Sequence, residues 1–218
     1  MSSLQPVRAE SLSAQVAESI REAIFSGELK PGQVLRELGL AKNMNVSQAT
    51  VREALSHLEH YGLVVRTPNR STSVTSLSRE DVQNRASIWL TLESRIWEQA
   101  GQASPDLLME LSGIVSNMDH SNEVATVRQF HSKVWESTGN GVLVRILDQL
   151  TTPLFAFGKL NGDDAGKLSE RCRRMLDGMR SADARAAQQA LREQVDAIEK
   201  GNAASPAATE EREASASA

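Results

Sequence analysis

Apolar residues recur at every fourth place from Leu12 through Val16 and Ile20 to Ile24, which is the ladder of one helical face. The pattern is broken at Gly27 and again at the Pro31-Gly32 turn. A second stripe follows a polar turn. Val51, Ala54, Leu55 and Leu58 lie at helical spacing, and Ser47 stands where an N-cap hydroxyl accepts from the first turn. Val46 and Val51 have the separation of a hydrophobic staple. The stretch Leu35–Leu58 therefore reads as two short helices about a tight turn, the second exposing its amino end. Gly62 is placed to close that helix in a left-handed conformation. Leu63-Val64-Val65-Arg66-Thr67 and Ser73-Val74-Thr75 then flank Pro68-Asn69-Arg70-Ser71, the pattern of a hairpin. A helix, a helix-turn-helix and a hairpin in this order make a winged helix.

From Ser78 onward the period is helical throughout. Ser78 is a plausible cap for a long helix holding Val82, Trp89, Leu92, Ile96 and Trp97, and Ser104-Pro105 opens one with Leu107, Leu108, Leu111, Ile114, Val115 and Met118. Val127, Phe130, His131, Val134 and Trp135 mark a third, ending near Gly139. The fourth begins around Asn140 with Val142, Leu143, Ile146, Leu147 and Leu150, and Pro153 is expected to kink or break it. Leu168, Cys172, Met175, Leu176 and Met179 form the fifth stripe. Asp183 caps the last helix, with Ala187, Leu191, Gln194, Val195 and Ile198. The fold class expected is mainly α: a winged helix-turn-helix of three helices plus a small β-hairpin over residues 1–76, and an all-α bundle of about six helices over 77–201. Residues 202–218, rich in Ala, Ser, Glu and Pro without apolar period, read as a disordered tail.

Charge alters this picture modestly. Residues 1–78 hold 8 Lys+Arg and 7 Asp+Glu, net +1, and the rest holds 16 and 21, net −5. A winged helix so weakly basic must hold DNA by local placement of Arg36, Lys42, Arg52, Arg66 and Arg70, reinforced by a second copy. The apolar content of the bundle, including two tryptophans on its first helix, exceeds what one small core needs, so a homodimer is expected through residues after about 78. One cysteine excludes an internal disulfide framework. No apolar run approaches a membrane span and the first residues lack a signal-peptide core, so a cytoplasmic protein without a membrane partner is expected.

Candidate chemistry falls in two places. Ser47, Gln48, Ala49, Thr50 and Arg52 sit at the amino end of the second helix, where a recognition helix meets base edges and phosphates. Arg36 precedes the turn, and Arg66, Asn69 and Arg70 lie on the wing. In the bundle, His131, Cys172 and Gln194 lie in the apolar stripes of three helices, and an inward polar group needs a partner. With Trp89, Glu93, Val127 and Met175 they outline a candidate pocket for a small organic effector, such as a metabolite acid.

Residues 11–76 resemble the winged-helix domain of GntR-type bacterial transcription regulators. The resemblance rests on Leu29-Lys30-Pro31-Gly32, Glu37-x-x-Leu40-Ala41, Val46-Ser47, Thr50-Val51-Arg52-Glu53-Ala54-Leu55 and Gly62-Leu63-Val64. It implies DNA contacts by Arg36 and Arg52. Gln48 stands where the family usually has arginine, and Ser71 where it usually has the wing glycine. Gln can read adenine where Arg reads guanine, so a different operator is implied. The helical half resembles the FCD domains of the FadR subgroup through Phe130-His131 with a following Thr-Gly-Asn140, and through Arg173-Arg174-Met175-Leu176-Asp177 before Ala182-Asp183. Many members of that group bind a divalent metal through one aspartate and three histidines. Those positions fall here on Val127, His131, Cys172 and Gln194, so only His131 is retained and no metal or other cofactor is expected. Trp89 stands near a position where relatives carry an arginine. The reading is a one-component regulator binding double-stranded operator DNA as a dimer. Its rivals are a metal-dependent helical-bundle enzyme and a regulator that needs no ligand. Against the enzyme, no nucleophile–base pair or carboxylate pair is evident in the helical half.

Overall fold

A step of four residues advances 400° around a helix of 3.6 residues per turn, so a strict fourfold ladder drifts off its face by about 40° per step. This drift decides the first element of the computed structural model, which describes residues 11–67, 71–98, 103–118, 123–157 and 162–203. Helix α1 (Leu12–Phe25) buries Val16, Ala17, Ile20 and Ile24. Leu12, three steps from Ile24, has rotated outward and is 54% exposed, contrary to the expected ladder, and Ser13 takes the inward place.

The chain divides into two units, Met1–Ser76 and Leu77–Ala218. In the first, α2 (Glu37–Met44) ends at Asn45, whose φ of 53° makes the tight turn, and α3 (Gln48–His60) follows. The Ser47 hydroxyl accepts from the Thr50 amide at 3.1 Å, and Val51, Ala54, Leu55 and Leu58 are buried, as the period predicts. Gly62 has a φ of 68°, the left-handed region that a glycine enters without strain. The wing is larger than the hairpin expected. Strands β1 (Val34–Leu35), β2 (Val64–Arg66) and β3 (Thr72–Val74) form an antiparallel sheet in the order β1-β3-β2, with Val64 opposite Val74 and Leu35 opposite Thr72. Leu35 is therefore strand, not the start of the helical pair; two residues are too few to show alternation.

The second unit contains, among the described residues, α4 (Arg79–Trp97), α5 (Pro105–Asn117), α6 (Glu123–Glu136), α7 (Gly141–Phe157), α8 (Gly162–Arg180) and α9 (Ala184–Ala203). A capping box starts α4: Ser78 accepts from the Asp81 amide and Asp81 accepts from the Ser78 amide. Asn140 Oδ1 accepts from the Val142 and Leu143 amides at 3.1 Å and so caps α7. Helices α8 and α9 approach closely at Gly178, where a Cβ would stand 2.9 Å from the Ala187 nitrogen.

Three expectations for this unit are corrected. Helix α7 is not broken at Pro153 but continues to Phe157. Proline lacks the N–H that would bond the carbonyl four residues back, which is that of Gln149. Arg85 of α4 supplies a substitute, its Nη1 donating to Gln149 O at 3.4 Å and Leu150 O at 3.2 Å. Val142 and Ile146, placed in the α7 stripe by their spacing, are exposed, while Leu147 is buried. Helix α9 includes Asn202 and Ala203, and the rest of the proposed tail lies outside the described residues. No helix of the described residues is long and apolar enough to cross a membrane.

Candidate functional site

At the amino end of α3, Ser47, Gln48 and Ala49 are exposed, Thr50 is half-buried, and Arg52 is 58% exposed. The buried stripe of α3 faces α1 and the sheet, so these residues form the outer rim of the helix. Arg52 is held there. Its Nε lies 3.2 Å and its Nη2 2.8 Å from Glu37 Oε2, a two-pronged pairing of guanidinium with the first carboxylate of α2. That hydrogen bond and the charge of Glu37 raise the Arg52 pKa, so it stays cationic.

Arg36, the residue before α2, is exposed. Arg66, placed on the wing by the sequence, is engaged within the unit. It turns back from β2 onto α3, its Nε 3.2 Å from Glu59 and its Nη2 donating to the Arg52 carbonyl at 3.1 Å. Asn69 and Arg70 lie outside the described residues. The partner that sequence reasoning missed is Glu37. Its signal was the pairing of one carboxylate at the start of the first helix with one arginine on the next.

In the helical unit the candidate residues meet around a single carboxylate. Glu93 is fully buried. Its Oε2 accepts from Trp89 Nε1 at 2.6 Å and Trp135 Nε1 at 2.7 Å. Its Oε1 accepts from Trp97 Nε1 at 3.0 Å and His131 Nδ1 at 2.6 Å. Burial opposes ionisation of Glu93. His131 and the indoles of Trp89 and Trp135, which donate to it, outweigh this and hold the carboxyl below its ordinary value. On the far side of the imidazole, the Gln194 amide nitrogen donates to His131 Nε2 at 2.7 Å, and the Cys172 thiol donates to Gln194 Oε1 at 3.9 Å. Burial, then the charge of Glu93, push the Cys172 thiol far up, so it stays protonated.

Trp89, Glu93, His131, Cys172 and Gln194 are thus joined in one network across α4, α6, α8 and α9. Val127 and Met175 are fully buried. Sequence reasoning missed Trp97 and Trp135 as donors, although Trp89 and Trp97 stand four residues either side of Glu93, the spacing of one helix face. A cleft of about 480 Å³ lies elsewhere, between α5 and α8, bordered by Ser112, Ser116, Arg173, Asp177 and Arg180.

The residues at the implied metal position do not fit a divalent ion. Val127 offers no donor, Cys172 is held as a thiol, and the His131 Nε2 lone pair already accepts from the Gln194 amide. Metal binding needs a thiolate and a free imidazole lone pair.

Comparison with known proteins gives two family matches. Residues 12–74 match the bacterial regulatory proteins of the gntR family, and residues 87–197 match the FCD domain. An uncharacterised helix-turn-helix transcriptional regulator of Bacillus subtilis strain 168 is 28% identical over 145 residues, 62% of this chain and 65% of that protein. The gluconate operon transcriptional repressor of Bacillus licheniformis is 26% identical over 155 residues, 67% of this chain and 63% of its own length. The match therefore spans less than two thirds of either relative. A probable D-xylose utilization operon transcriptional repressor of Paenarthrobacter nicotinovorans is 26% identical over 192 residues, 83% of this chain and 84% of that one. Among solved structures, McbR/YncC of E. coli shares the fold with a TM-score of 0.70 at 21% identity, covering 90% of this chain and 97% of its own. A GntR-type regulator of Rhodococcus sp. RHA1 does so with 0.72 at 20%, covering 86% and 95%.

Proposed function

Since the chain belongs to the GntR family of bacterial regulatory proteins and carries an FCD domain, we propose that it is a transcription regulator, not an enzyme. On this reading it binds double-stranded operator DNA as a cytoplasmic homodimer, one winged helix to each half-site. The observation that carries it is the exposed amino end of α3, with Ser47, Gln48, Ala49 and Thr50 on its rim and Arg52 oriented by Glu37. Arg36, Arg66, Asn69 and Arg70 complete the proposed interface, contacting phosphates and the adjoining groove. The relatives named as operon repressors support the same role.

The test is selection of DNA fragments by the purified protein, followed by gel-shift titration of the selected sequence. Enrichment of no sequence, or equal affinity for scrambled DNA, contradicts the reading. Light scattering checks the dimer: a monomer at micromolar concentration that still binds its operator tightly sinks that part.

For control of the output, the helical unit is the proposed sensor. Trp89, Glu93, Val127, His131, Cys172, Met175 and Gln194 form the region a small organic effector would engage, and no metal or other cofactor is assigned to it. Such an effector would shift the output only by binding two arrangements of the bundle unequally. A second reading, a regulator that answers to no small molecule, is favoured by one observation: all four carboxylate acceptor sites of Glu93 are already taken. A thermal-shift screen of metabolites separates the two, since an effector raises the melting temperature and an unliganded regulator responds to none.

A further inference from the structure

An ionised carboxylate offers about four acceptor positions, two per oxygen. In this bundle four N–H groups meet them two by two: Trp89 and Trp135 on Oε2, Trp97 and His131 on Oε1 of Glu93. Trp89 and Trp97 come from α4 itself, while His131 and Trp135 come from α6. All five side chains are completely buried. An indole N–H donates and cannot accept, so three of the four groups can be satisfied only by an acceptor. The arrangement is that of an anion receptor, closed from water, with the anion already inside.

We propose that the helical unit is a carboxylate receptor whose ligand is supplied in cis by Glu93, and that the receptor passes to a free small monocarboxylate when that side chain is shortened. The receptor is independent of the operator reading and concerns the bundle alone. Its selectivity follows from the donors. A cation has no partner there, and chloride cannot span four N–H groups directed at two oxygens. A carboxylate no larger than acetate can bring two oxygens to the native donors. Glu93→Ala removes a methylene and a carboxylate, which are the atoms of acetate, and leaves the indoles and the imidazole facing the space. The second half of the network supports the assignment. Gln194 donates to His131 Nε2 and so fixes the imidazole with its Nδ1 proton toward the anion, while Cys172 donates to the Gln194 carbonyl oxygen.

The test is chemical rescue, read by circular dichroism melts of the full-length chain. Glu93→Ala is titrated with sodium acetate and sodium formate, against sodium chloride and methylammonium chloride at matched ionic strength. The expected result is a saturable rise of several degrees in the variant's melting temperature with acetate or formate only, and none in the wild type. If Glu93→Ala is unfolded in chloride, the same titration reads recovery of helix from a urea-refolded sample. A variant that gains nothing from acetate, folded or unfolded, overturns the proposal. An equal gain from chloride or methylammonium, or an equal gain in the wild type, does the same. A second variant, Glu93→Gln, keeps the volume but turns an N–H₂ toward the donors. It is expected to melt well below the wild type, and a melt coincident with the wild type also overturns the proposal.

Discussion

Two carboxylates in this chain hold nitrogen donors at hydrogen-bond distance and stand in opposite surroundings. Glu37 grips the Arg52 guanidinium at the surface of the winged helix, in a pair open to water. Glu93 grips three indoles and an imidazole where no water reaches. At the surface both charges can exchange a protein partner for solvent, so the pair adds little to stability and its value is the direction it gives a side chain. In the core there is no such exchange, and a lost partner leaves a charge or a donor stranded. The same chemistry therefore orients in one unit and holds the fold in the other.

The sharpest way to break this contrast is to remove each carboxylate in turn. Glu93→Ala is expected to destabilise the helical unit by about 3–5 kcal/mol, the range for breaking a buried charge network, measured by urea unfolding. Glu37→Gln is expected to leave the melting temperature close to that of the wild type. Equal losses would erase the distinction.

Acid tests the same point without mutation. The folded Glu93 carboxyl titrates below its ordinary value of 4.5, so in acid the unfolded chain binds its proton first. Its contribution to stability is complete above about pH 4.5 and is lost as pH falls through the lower folded value. Melts of the wild type and Glu93→Gln from neutral to acid pH should converge as pH falls. A constant gap between them would show that Glu93 is not ionised in the fold.

For the winged helix the effect is expected in binding. Arg52→Ala should weaken operator binding about ten- to a hundredfold while the fold persists, and unchanged affinity in a gel-shift titration removes Arg52 from the interface. Gln48→Arg should alter which sequence is preferred, because a bidentate guanidinium selects guanine where an amide selects adenine. A uniform change across all sequences counts against base reading by Gln48.

The smallest effect expected is none at all. Chelator should leave the melting temperature of the purified protein unchanged, since His131 has given its lone pair to Gln194. A chelator-sensitive melt, with one metal per chain by elemental analysis, would reverse this.

Much of the fold was legible because it rests on local rules. Ser47, Ser78, Ser104 and Asp183 cap the helices they were expected to cap, and the stripes of α3, α8 and α9 are buried where the period places them. The misreadings arose where a remote partner decides the outcome. Strand β1 exists only because β3 lies beside it, and α7 passes Pro153 with Arg85 from another helix at the freed carbonyl. Among the candidate residues, the inward direction of His131, Cys172 and Gln194 could be read from spacing. That they would meet on Glu93 could not, because three helices and two further tryptophans have to be placed first. The pairing of Arg66 with Glu59 was hidden for the same reason, since the two belong to different elements.

The ring of donors around Glu93 also fixes what light can report from this molecule. The chain has three tryptophans, Trp89, Trp97 and Trp135, and all three bond the same carboxylate. Residues 1–76 contain none. Indole emission from the intact protein is therefore a signal from the centre of the helical unit, with the winged helix dark. A change in that emission reports on the core of the helical unit.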